Sequence, residues 1–153
     1  MTIAANLGVY KRPQGTFDAD LEFKDAGLVA SSAAATVDST AKYVDVGNGL
    51  FKGCLIIDVS ALEIADGDEI YTICVQGSTG TTFANTSASA TLAKIEIGAA
   101  TPLLLGAVDA VGRYKLYFDN EHNGTYFQYM RVYTVVAGTI TDGINFTAYA
   151  VQM

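Results

Sequence analysis

The sequence predicts an all-β fold, a single-domain antiparallel β-sandwich, and three observations predict it. Runs of β-branched and aromatic residues recur between turn signals at intervals of roughly 8–15 residues, which gives about eight strands. Several of these runs alternate apolar and polar residues with a period of two, the pattern of a strand with one buried face. Strand-like and helix-like segments do not alternate, and no internal repeat of fixed period is present. The chain has 153 residues, half of them hydrophobic and 16% charged, which suits one packed core. Two cores would leave each half near the lower size limit for independent folding.

Residues 1–17 read as an N-terminal arm and residues 18–153 as the folded domain. Phe17, Ala19, Leu21 and Phe23 alternate with Asp18, Asp20 and Glu22, predicting a first half-buried strand. The Ala/Ser/Thr-rich stretch 30–41 lacks bulk. Thr36, Val37 and Thr40 are poor helix formers and no amphipathic stripe runs through it, so it reads as a loop or a tightly packed edge segment. Residues 43–46 form the next strand, ended by Gly47-Asn48-Gly49. Residues 51–59 carry Leu55, Ile57 and Val59 on one face, with Asp58 and then Ser60 on the other.

The acidic tip Ala65-Asp66-Gly67-Asp68-Glu69 leads into 70–76, a continuous apolar run of the kind a central strand shows. Gly77-Ser78-Thr79-Gly80 reads as a turn and 81–90 as loop. In 91–97, Ala93, Ile95 and Ile97 point inward while Lys94 and Glu96 point out; 113–119 place Tyr114, Leu116 and Phe118 on one face. His122-Asn123-Gly124 supplies a hairpin turn, because Asn-Gly tolerates the positive φ such turns demand. Residues 125–136 read as the longest strand and 144–151 as the last.

Reactive chemistry is scarce. The net charge is −7, and the nine Lys and Arg are scattered singly apart from Lys11-Arg12. Nucleic acid and anionic membranes both call for a basic footprint, so neither is an expected partner. The N-terminus lacks the charged start and apolar run of a signal peptide, and no apolar stretch is long enough to span a bilayer. The expectation is a soluble protein made inside the cell. Nucleophilic catalysis needs a base held beside the nucleophile, and the only histidine, His122, sits in a turn. One histidine also cannot supply the multi-His site of metal-dependent β-sandwich enzymes. No phosphate-cradling glycine loop is present. No catalytic residue, cofactor site or metal site is assigned.

Three features keep two readings each. Asp66-Gly67-Asp68-Glu69 could offer carboxylate oxygens to calcium, but the order of an EF-hand loop is absent and an acidic tip on a solvent-exposed hairpin accounts for it. Cys54 and Cys74 lie in apolar runs and read as buried free thiols, with a disulfide between neighbouring strands as the alternative. Of the nine tyrosines, Tyr126, Tyr129 and Tyr133 fall close together on one predicted strand. They fill core and subunit seams, or else form a carbohydrate-binding face.

Two segments carry a family resemblance. Asp18-Ala19-Asp20-Leu21-Glu22-Phe23-Lys24-Asp25-Ala26-Gly27-Leu28-Val29 resembles the D-x-x-L-x-F-x-D-A-x-x-V opening of capsid cement (decoration) proteins from short-tailed bacteriophages. Tyr129-Met130-Arg131-Val132-Tyr133-Thr134-Val135-Val136-Ala137-Gly138-Thr139, followed by Ile144-Asn145-Phe146-Thr147-Ala148, is similar to the family's terminal hairpin, YxRLxYTVxxGT then FTA. The likeness covers roughly residues 17–29 and 113–152; the arm segment 8–16 is longer than the family's opening. The resemblance implies a jelly roll that assembles as a homotrimer. It implies a non-enzymatic virion component, made in the bacterial host cytoplasm and bound to the outside of an icosahedral head, where it clamps neighbouring major capsid proteins. On this reading Tyr10, Lys11, Arg12 and Phe17 face the capsid, while Tyr129, Arg131 and Tyr133 lie at the trimer seam. A carbohydrate- or receptor-binding β-sandwich module is the alternative.

Overall fold

The computed structural model describes residues 18–83, 89–99 and 108–153. Strands are numbered in chain order, and the described pairs are antiparallel. One sheet sets β1 (Glu22–Lys24), β14 (Ile144–Gln152), β7 (Lys52–Leu62) and β10 (Gly112–Asp119) side by side in that order, and β2 (Leu28–Val29) also pairs with β14. The other sets β3 (Ala33–Ala34), β13 (Tyr129–Ala137), β8 (Ile70–Ser78) and β9 (Ser89–Gly98) side by side, with β6 (Val44–Asp45) also on β13. Two short ribbons complete the fold: β4 (Thr36–Val37) with β5 (Thr40–Ala41), and β11 (Glu121–His122) with β12 (Thr125–Tyr126).

The pairing follows a simple rule. Let β3 and β6 count as one interrupted strand, and set β2 and the ribbons aside. The first strand then pairs with the last, β3/β6 with β13, β7 with β10, and β8 with β9. The chain behaves as one long antiparallel hairpin rolled into two facing sheets.

The core between the sheets is built by the predicted alternation. Leu55, Ile57 and Val59 of β7, Phe118 of β10 and Phe146, Ala148 and Ala150 of β14 meet Tyr71, Ile73 and Val75 of β8, Ile97 of β9 and Met130 and Val132 of β13. Register brings inward residues opposite one another, as in Leu55 with Leu116 and Ile73 with Ile95. Each large apolar side chain buried in this way contributes about 1.5–3 kcal/mol. Thr134 is also fully buried, and its Oγ1 makes no hydrogen bond among the described residues.

Four local readings need correction. Residues 19–21 are not strand: Asp18 accepts a hydrogen bond from the Asp20 N–H at 3.0 Å and caps a 3-10 turn over Ala19–Leu21, so β1 begins only at Glu22. Phe17 lies outside the described residues. Segment 125–136 is not one strand, because the chain breaks at Phe127 and Gln128 and leaves Tyr126 on the β11–β12 ribbon. The longest strand is β7. Gly77 and Ser78 belong to β8 rather than to a turn, where Gly77 packs against Phe127 and Leu92 so closely that a Cβ would stand 2.8 Å from the Phe127 ring. The turn at Asn123-Gly124 is as expected, with φ of 51° and 81°. Stretch 30–41 forms edge pieces, with Ala35 buried against the core.

Two buried polar residues fix the ends of strands. Lys24 is only 4% exposed, and its ammonium donates to the carbonyls of Asp25, Gly27 and Phe146 at 2.9–3.0 Å while lying over the Phe146 ring. Burial pulls its pKa below the ordinary lysine value. Asn120 is fully buried where β10 leaves its sheet. Its Oδ1 accepts from the Phe51 N–H at 2.7 Å and its Nδ2 donates to the carbonyls of Gly49 and Phe127. Its own N–H donates to the Phe51 carbonyl, and its own carbonyl accepts from the Phe127 N–H.

Candidate functional site

Two places on this scaffold gather chemistry. The first is the outward face of the β13 sheet. Met130, Val132 and Thr134 point inward, so Tyr129, Arg131, Tyr133 and Val135 point out along one row. The three residues expected at a seam are therefore brought together. Tyr126 is not, since it lies on the separate ribbon.

Around this row the fold assembles partners that no local sequence pattern indicates. Arg131 sits opposite Gln76 in register and donates from Nε to Gln76 Oε1 at 2.9 Å. Its guanidinium stacks over Phe83, 4.6 Å from the ring centroid, and over Tyr133 at 5.0 Å. Burial draws the guanidinium pKa down, against the opposing pull of Tyr133. Tyr43 meets Tyr129 edge-on, with centroids 5.7 Å apart and planes at 84°. Tyr43 and Val135 remain 44% and 42% exposed, which leaves an apolar margin around a half-buried centre.

Cys74 pairs in register with Tyr133 and Lys94 and is buried on this same outward face. Cys54 occupies the outward face of the opposite sheet, between Tyr117 and Val151. The two thiols point away from each other across the sandwich, so the disulfide alternative fails on geometry. Both are free, and burial pushes both thiols up from their ordinary value.

The second place is the connection from β7 to β8, residues 63–69, at the opposite end of β7 from Asn120. The expected solvent-exposed acidic tip is only partly that. Asp66 is exposed, but Glu69 is fully buried. The loop is held on three sides. Ala99 donates to the Glu69 carbonyl at 3.0 Å. Thr139 donates to Asp68 from its N–H and its hydroxyl at 3.0 and 2.9 Å. The Glu63 carboxylate accepts the N–H groups of Thr141, Asp142 and Gly143 at 2.7–3.0 Å. Gly138 makes this approach possible: its φ is +97°, and a Cβ there would stand 2.3 Å from the Asp68 carbonyl.

These bonds shift the acids. The N–H of Gly143, followed by those of Asp142 and Thr141, holds the Glu63 carboxyl below the usual range, and the Thr139 N–H and hydroxyl do the same for Asp68. Tyr71, whose hydroxyl donates to the Glu63 carbonyl at 3.0 Å, is pushed up to about 12 by burial and then by the charges of Glu63 and Glu69.

Carboxylate oxygens of Glu63, Asp66 and Glu69 all lie within 4.8 Å of one another. Glu69 Oε1 accepts the Asp66 N–H at 2.7 Å, whereas Glu69 Oε2 is buried without a hydrogen-bond partner among the described residues. Glu63 was not singled out in the sequence. The spacing Glu63, Asp66, Glu69 is its only trace there, because the partners that hold the loop, Ala99 and residues 139–143, are distant in sequence.

His122 ends β11 beside the Asn123-Gly124 turn and is exposed, 3.2 Å from the Asn123 side chain. Tyr10, Lys11, Arg12 and Phe17, expected to face a capsid, lie outside the described residues. No helix among the described residues is long and apolar enough to cross a membrane. No family model matches the chain, and no curated protein matches it.

Proposed function

We propose that this protein is a non-enzymatic capsid cement protein, a homotrimeric jelly roll that binds the outside of a tailed-phage head and ties major capsid proteins together. The observation that carries the reading is the outward row Tyr129, Arg131, Tyr133. It lies in one of the two segments that resemble the family, it is centred on a half-buried arginine between aromatic rings, and exposed Tyr43 and Val135 surround it. Aromatic residues and arginine at the centre of an apolar patch are what subunit interfaces favour. The pairing of first strand with last, and so inward, supports the jelly-roll reading, whose eight strands form two Greek keys.

The rival sugar-binding reading would use free ring faces. Here Tyr129 is already engaged edge-on by Tyr43, and Tyr133 lies beneath Arg131. A cement protein needs a rigid body, apolar seams and an arm that orders on its neighbour, and three copies around an axis turn weak contacts into avidity.

The test is the mass of the full chain in solution, followed by decoration of shells of the major capsid protein. A mass of three chains is expected, falling to that of one chain in the Arg131→Ala, Tyr133→Ala double variant. Removal of residues 1–16 should leave the trimer intact and abolish decoration. A wild-type monomer at every concentration would overturn the reading, and so would full decoration by the truncated protein.

A further inference from the structure

We propose that Glu63, Asp66 and Glu69 form a calcium-binding site where β7 connects to β8. The inference concerns the other end of the fold from Asn120 and is independent of the assembly reading.

Geometry comes first. Calcium holds oxygens at about 2.3–2.6 Å, so a single ion spans oxygens up to roughly 5 Å apart. The three carboxylates offer oxygens within 4.8 Å of one another, inside that span. An acidic cluster alone would mean little. The independent sign is Glu69 Oε2: the side chain is fully buried, its carboxylate belongs to the cluster, its sister oxygen is occupied by the Asp66 N–H, and Oε2 has no hydrogen-bond donor among the described residues. A buried carboxylate oxygen with nothing opposite it is costly unless a cation or a proton meets it. The ion pairs of the described residues, Lys94 with Glu96 and Arg113 with Asp58, do not involve these acids.

The donor set then selects the metal. Three carboxylates with neither nitrogen nor sulfur suit a hard cation rather than zinc. Asp66 is exposed and gives the ion a way in, while buried Glu69 gives it a fixed floor. Because Glu63 already grips residues 141–143, an ion shared with Asp66 and Glu69 would join the β7–β8 connection to the β13–β14 turn.

The experiment uses the full chain and terbium as a calcium probe. The chain has no Trp, and Tyr71 donates its hydroxyl to the Glu63 carbonyl, so Tyr71 is placed to sensitise a bound terbium ion. The expected results are saturable terbium emission displaced by calcium, and a higher Tm in calcium than in EDTA. Glu69→Gln and Asp66→Asn should each weaken calcium binding about tenfold or more. Glu96→Gln, on an outward face, should leave it unchanged. Asp66 is exposed, so its variant tests the site even where Glu69→Gln disturbs the fold. The proposal is overturned by the absence of saturable emission and of a Tm shift up to about 10 mM, beyond the weakest calcium modules. It is equally overturned by unchanged affinity in both variants.

Discussion

Asn120 and Glu69 are both fully buried polar side chains, one near each end of β7, and the fold treats them in opposite ways. Every hydrogen-bonding group of Asn120, side chain and backbone, meets a partner from Gly49, Phe51 or Phe127. Glu69 is held through its backbone carbonyl and one carboxylate oxygen, and the other oxygen is left bare. A neutral amide has as many donors as acceptors and can close a junction by itself. A carboxylate has acceptors only, so a junction built from three of them is complete only with something positive. One end of the sandwich is finished by its own chain; the other is arranged to receive.

Three substitutions probe this contrast. Asn120→Ala should have the largest effect, on the order of 3 kcal/mol in urea unfolding, since it strands the Phe51 N–H and the carbonyls of Gly49 and Phe127 in a buried place. A loss below about 1 kcal/mol would mean that the junction does not depend on the amide. Gly138→Ala comes next, at about 2 kcal/mol, because it combines a positive φ with a Cβ driven onto the Asp68 carbonyl. Gly124→Ala makes the control: φ is +81° but the space is open, so about 1 kcal/mol is expected. Equal losses at the two glycines would show that the close approach around the acidic loop carries no weight.

The smallest effect is on pH dependence. Glu63 has a folded pKa held below its ordinary 4.5, so in the interval between the two values the unfolded chain binds more protons. The stability this provides is present above pH 4.5 and is lost as the pH falls through the folded value. Asp68 acts in the same direction below its ordinary 3.8. Glu63→Gln should therefore flatten the acid limb of a Tm-against-pH curve measured in EDTA; an unchanged limb would remove Glu63 from the account.

The parts of the fold that the sequence disclosed are those in which a single strand face decides. The alternation in 91–97 and 113–119 is legible because each strand buries one side, and Asn123-Gly124 is legible because its backbone demands a particular chemistry. Segment 17–23 misleads because Asp18 prefers to bond a nearby N–H, and local capping defeats a pattern that otherwise alternates well. Segment 125–136 misleads because Phe127 turns in to bond Asn120, seven residues back, which no periodicity records. The candidate site is less legible still. Asp66 and Glu69 stand in the sequence as an ordinary acidic turn, and Ala99 just beyond β9, Gly138 and residues 139–143 of the β13–β14 turn are what hold the loop in place. The Arg131 surroundings have the same origin, since Gln76 reaches it through register and Phe83 from the segment that follows β8, far from it in sequence.

The pairing of first strand with last has a kinetic side. Among the long pairs only β8 and β9 are close in sequence, whereas Lys24 reaches the Phe146 carbonyl across 122 residues. Closing a long loop costs entropy before any contact repays it, so the β8–β9 hairpin is the natural nucleus, with pairing spreading outward and β1 docking on β14 at the end. By the same logic β1, a three-residue strand at the sheet edge, opens first in the folded protein. The lysine buried beneath it then acts as the last bolt drawn home, and the amides of β1 should exchange with solvent well before those of β8.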